Sequence, residues 1–96
     1  MIHAIGMIET RGLAISIVIA DRMLKAADVS IIRQETIDLS LVTLAIRGDI
    51  VAVHEAIQVG LEVAKRSNKF ISYNILSRPD DSVEKLVREI SRKPTN

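Results

Sequence analysis

The sequence has no cysteine and no tryptophan, and Phe70 and Tyr73 are its only aromatic side chains. Without cysteine there is no disulfide, no thiolate metal site and no cysteine nucleophile, a pattern that fits a reducing cytosol. With so few rings, base stacking on a sheet surface lacks its usual platform. Phe70 and Tyr73 lie three apart on one predicted strand, so simple alternation sends them to opposite faces. Charge of one sign is missing too: thirteen Lys and Arg against twelve Asp and Glu leave a formal net charge of +1. No electrostatic grip on nucleic acid or anionic lipid is therefore expected. No run reaches the roughly 18 apolar residues of a membrane-spanning helix, and "MIHAIGMIET" has no basic leader, so a soluble, unexported chain is expected.

Reactive constellations are equally scarce. The glycines stand apart at positions 6, 12, 48 and 60, which excludes a glycine-rich phosphate loop. His3 and His54 have no third ligand at metal spacing and read as surface or edge histidines. Asp80 and Asp81 suit a helix start, where the macrodipole favours negative charge, better than a catalytic pair. "RGD" at 47–49 ends a strand and is not an adhesion motif in a cytosolic chain. Neither an enzyme nor a cofactor is expected.

What the chain does have is aliphatic surface. Its 96 residues, 48% of them hydrophobic, make one small domain with a core of Ile, Leu, Val, Ala and Met. "IHAIGMIE" (2–9) reads as a strand, with Thr10 as a candidate cap for the helix after it. Leu13, Ile17, Ala20, Leu24 and Ala27 recur on that helix at helical spacing, and Ile15 and Ile19 form a second line. A helix apolar on two sides is either sandwiched in a core or pressed against another chain. "VSIIRQETI" (29–37) and "LVTLAIR" (41–47) are the next strands, and Asp49 caps a second helix with the stripe Val53, Ala56, Ile57, Gly60 and Ala64. Val59 and Val63 form a spare line there, and a glycine in mid-helix costs about 1 kcal/mol, so Gly60 predicts a close contact. "KFISYNIL" (69–76) is the last strand. Val83, Leu86, Val87 and Ile90 mark a short final helix, and "SRKPTN" is a polar tail. The resulting order, β-α-β-β-α-β, specifies an α+β, ferredoxin-like, four-stranded antiparallel sheet with both long helices on one face.

The hairpin in "QETIDLSLVTLAIRGDI" (34–50) is unusual. Its turn lacks glycine, proline and asparagine, and Leu39 and Leu41 sit where polar residues are the rule. Together with the spare helix lines, it points to a self-associating module.

Three stretches carry a resemblance across nearly the whole chain: "AIGMIETRGLAISIVIADRMLKAADV", "LVTLAIRGDIVAVHEAIQVG" and "ISYNILSRPDDSVEKLV". They resemble bacterial microcompartment shell proteins of the single-domain class, which implies a shell domain over residues 1–91 and a tail over 92–96. The resemblance further implies a homo-oligomer, a hexamer, that tiles edge to edge with other shell proteins around an enzyme-filled cytoplasmic organelle. The strand 2–3 turn would meet its symmetry mates around a central pore. By the same resemblance, Lys25 in "KAA" and Arg78 in "RP" hold tile edges. Asp28 stands where the family commonly has asparagine, which removes an amide donor from that edge. The family's usual pore stretch, Lys-Ile-Gly-Ser-Gly, is replaced by Thr36-Ile37-Asp38-Leu39-Ser40. With both glycines gone, the loop must change shape or accept strain, since positive φ is uncommon for other residues. Six such loops would ring the axis with Asp38 carboxylates or plug it with Leu39, giving a narrow or closed pore. The tile would be flat, or else distorted or strand-exchanged. The competing reading is an oligomeric ferredoxin-like module that senses a small ligand. An acyl-phosphate hydrolase of similar fold would need a phosphate cradle that these residues do not supply.

Overall fold

In the computed structural model, which describes residues 3–38 and 40–78, six elements follow one another. They are β1 (His3–Arg11), α1 (Leu13–Ala26), β2 (Val29–Thr36), β3 (Leu41–Asp49), α2 (Ile50–Arg66) and β4 (Phe70–Arg78). The sheet order is β2-β3-β1-β4, and every neighbouring pair is antiparallel. This is the expected split β-α-β arrangement, with the two ends of the chain's secondary structure paired at the centre and one edge. The expected helix at Val83–Ile90, its Asp80 or Asp81 cap and the 92–96 tail lie outside the described residues, as does the domain boundary at 91.

Strand parity assigns the two faces. Ala4, Ile8, Leu44, Ile46 and Val29 turn toward the helices and share a core with Ile19, Met23, Val53, Ala56, Ile57 and Ala64. The α2 stripe is the expected one throughout. Gly60 lies at the crossing of the two helices: a Cβ there would stand 3.1 Å from Ile19 Cγ2 and 3.2 Å from Met23 Sδ. The mid-helix glycine is thus explained by helix-to-helix approach.

α1 departs from expectation. Its buried residues are Ser16, Ile19 and Met23, while Leu13, Ile17 and Leu24 of the expected core line are 51%, 55% and 48% exposed. The second line, Ile15 and Ile19, is the one that packs, Ile15 partly buried, while from the first line Ala20 and Ala27 pack partly against the core. Periodicity finds apolar lines but does not rank two of equal greasiness; the approach of Gly60 to Ile19 and Met23 does.

The start of α1 also differs. Thr10 does not cap it: Thr10 is a buried β1 residue whose Oγ1 has no hydrogen-bond partner among the described residues. The N-cap is Gly12, whose φ of 110° is in the range where only glycine is unstrained. Asp49 does occupy the N-cap of α2, but its side chain makes no capping hydrogen bond.

Two bulges re-aim the edge strands. Ile31 pairs with Ile46 and Arg33 with Ala45, so Ile32 is the extra residue on β2; Ile71 is extra on β4, between Phe70 opposite Thr10 and Ser72 opposite Glu9. The second bulge overturns the parity argument for the aromatics. It brings Phe70 and Tyr73 to one face, with ring centroids 6.3 Å apart at 45°. Phe70 packs on the core and the Lys65 ammonium sits 5.4 Å from its ring centroid, so the pair is not an open stacking surface.

Candidate functional site

The β2–β3 turn is built around one carboxylate. Thr36 still pairs with Val42, and the Ile37 amide donates to the Leu41 carbonyl at 2.8 Å, closing the ladder. Beyond that point Asp38 Oδ1 accepts from the Ser40 amide at 2.9 Å and the Leu41 amide at 3.1 Å, and from the Ser40 hydroxyl at 3.4 Å. This is an Asx-type turn, in which a side-chain oxygen does what a backbone carbonyl does in an ordinary turn. The Ser40 carbonyl in turn accepts from the Gly12 amide, which ties the tip to the β1–α1 junction.

The described residues of the turn show no left-handed strain. Asn68 is the one non-glycine with positive φ among them, so Thr36, Ile37, Asp38 and Ser40 carry no left-handed backbone. Leu39 lies outside the described residues. The Ser40 amide, and after it the Leu41 amide, hold the Asp38 carboxyl below the usual carboxylate range, with the Ser40 hydroxyl and Arg11 adding to the effect. Because the folded pKa is depressed, the turn's contribution is complete above the unfolded value, about 3.9, and is lost as pH falls through the folded one.

Lys25, Asp28 and Arg78 all lie at the end of the molecule opposite this turn but are not brought together: Asp28 heads the edge strand β2 and Arg78 ends the other edge strand, β4. α1 starts beside the turn and runs back, so Lys25 in its last turn and Asp28 at the head of β2 lie at the end where His3 opposes both Asp49 and Arg78. Lys25 Nζ lies 3.0 Å from Asp21 one helical turn back, and both side chains are largely exposed. Asp28 is exposed, and Arg78 is placed by its backbone as the last residue of β4.

Several polar contacts had no clear sequence signal. On the face away from the helices, Glu9 accepts hydrogen bonds from the Thr43 hydroxyl at 3.1 Å and the Ser72 hydroxyl at 2.6 Å, spanning three strands. Arg33 pairs with Glu35 on the same face, Nη2 to Oε2 at 3.1 Å, and Gln34 on the helix side donates to the buried Ser16 hydroxyl at 3.0 Å. Ile5 and Ala45, on the face away from the helices, are fully buried. The Asx turn did have a signal, an aspartate two residues before a serine. No group of three or more His, Cys, Asp or Glu among the described residues could hold a metal ion, and no described helix is long and apolar enough to cross a membrane.

Comparison with known proteins places this geometry in context. The BMC domain model matches residues 4–79. The chain is 38% identical over 94 residues to the bacterial microcompartment shell protein EutK of Escherichia coli K12, covering 98% of this chain and 57% of that one. It is 38% identical over 85 residues to the microcompartment shell protein PduA of Citrobacter freundii, covering 88% and 91%. The carboxysome shell protein CcmK2 of a Synechocystis strain is 40% identical over 83 residues, covering 84% and 81%. The chain thus spans a little over half the length of the EutK relatives and nearly all of PduA. Among solved structures, a microcompartments protein from Desulfitobacterium hafniense DCB superposes with a TM-score of 0.71 at 30% identity, over 77% of this chain and 40% of that one.

Proposed function

The chain belongs to the BMC-domain family of microcompartment shell proteins, and from that premise we propose that it is a structural tile: a ring of six copies joined edge to edge with other shell proteins. The observation that carries this reading is the outer line of α1. Leu13, Ile17 and Leu24 lie on the flank turned away from α2, since Ile19 and Met23 meet Gly60 and Ser16 takes the Gln34 hydrogen bond from β2. A contiguous exposed aliphatic line on a small domain calls for a covering partner, and closed cyclic symmetry buries such a line once per subunit.

In this ring the β2–β3 turns, with Thr36, Ile37, Asp38, Leu39 and Ser40, surround the axis, and Lys25, Asp28 and Arg78 lie at the outer edges. That division matches their separation to opposite ends of the sheet. The central opening is narrow or closed, because six turns without glycine bring bulkier side chains to the axis. The tile is located in the shell of a cytoplasmic compartment and has no catalytic role.

The test is co-expression with related single-domain shell proteins, followed by native mass measurement and electron microscopy. Rings of six and ordered sheets are expected. A chain that stays monomeric at high concentration and joins no sheet overturns the proposal.

A further inference from the structure

The backbone amides of Ser40 and Leu41 converge on a single point, the arrangement that binds anions in many loops. Here that point is filled from within: Asp38 Oδ1 lies 2.9 Å from one amide and 3.1 Å from the other, and the Ser40 hydroxyl closes on the same oxygen. We infer that Asp38 is a specificity-determining residue, a built-in occupant of the turn's anion cradle, so that the turn rejects small anions such as phosphate and serves only neutral or cationic solutes. This rests on the tile reading for its consequence at the axis, although the occupied cradle is a property of each chain.

Three observations converge on it. The amides are consumed by a tethered carboxylate, whose local concentration no free anion matches. The Arg11 charge also acts on this carboxylate and favours its ionised form, the lesser of the influences on it. The Ile37 amide is also engaged, with the Leu41 carbonyl, which leaves Thr36–Leu41 with none of these three donors to offer a solute.

The experiment is amide NMR on the full chain at neutral pH, with inorganic phosphate as the probe. In the unmodified protein the Ser40 and Leu41 amides exchange about tenfold or more slower than in an unstructured chain, the worth of a charge-assisted hydrogen bond. They show no saturable shift on adding phosphate. Asp38→Ala loses the protection, and both amides then shift saturably with phosphate. Asp38→Asn keeps its Oδ1 acceptor, retains most of the protection and still gives no phosphate shift, which separates an occupied cradle from simple charge repulsion. Free exchange or a saturable phosphate shift at these amides in the unmodified protein overturns the inference, whether or not sheets form. Protected, phosphate-silent amides in a chain that forms no sheet overturn the tile reading alone.

Discussion

The two helices cover the same sheet face but answer to different constraints. On α2 the expected stripe, Val53, Ala56, Ile57, Gly60 and Ala64, meets the core, Val63 of its spare line packs partly against that core, and Glu55, Gln58, Glu62 and Arg66 face water. On α1, Ile19 and Met23 meet the core, while Leu13, Ile17 and Leu24 face outward, about half exposed. Both helices carry two apolar lines in sequence, and which line packs depends on what stands beside the helix. On the proposed tile reading, the surplus on α1 is the trace in sequence of a neighbouring subunit.

The sharpest way to break this comparison is to charge the outer line. Ile17→Asp should abolish assembly, read by native mass measurement, while leaving the unfolding free energy of the dilute chain, from urea titration, within about 0.5 kcal/mol of the original, as expected of an exposed site. If assembly survives, the outer line is not an interface. Ile19→Ala should do the reverse. It leaves a cavity beneath α1 and should cost about 2–5 kcal/mol in equilibrium unfolding, whereas Ile17→Ala should leave stability almost untouched. Equal costs for the two would erase the distinction between the lines.

Gly60→Ala probes the crossing of the two helices. Alanine gains about 1 kcal/mol of helix propensity. Its Cβ, however, would press on Ile19 Cγ2 at 3.1 Å, a side chain fully buried and unable to swing aside. Overpacking costs about 1–3 kcal/mol, and net destabilisation of about 1 kcal/mol is expected in denaturant titration. A stabilised variant would mean that the helices are free to separate. The smallest effect belongs to Lys25→Ala. The exposed pair with Asp21 contributes at most about 1 kcal/mol to the single chain. A clear loss of edge-to-edge association without loss of stability would assign Lys25 to the tile edge, and unchanged sheets would remove it from there.

Much of the fold was legible because local rules agree with one another along most of the chain. Strand, helix and strand follow one another with breaks at Gly12, Asp28 and Asn68, and the element order leaves few topologies to choose from. The misreadings share one cause. Thr10 looks like a cap because threonine often is one, yet β1 continues through Arg11 and buries it. Phe70 and Tyr73 look opposed because alternation was assumed, yet one extra residue at Ile71 resets it. In each case a contact between distant parts of the chain overrides a local preference.

The amino-acid order by itself determined which segments become strands and helices, the core stripe of α2, the need for a close approach at Gly60, and the excess of aliphatic surface. All are set by residue chemistry and spacing within a few turns or strand positions. Only the tertiary structure decided which side of α1 is core, where the bulges fall, and that Asp38 folds back onto the Ser40 and Leu41 amides. Those outcomes depend on which atoms from elsewhere in the chain, or from across a tight turn, come within contact distance, and periodicity along the sequence carries no such information.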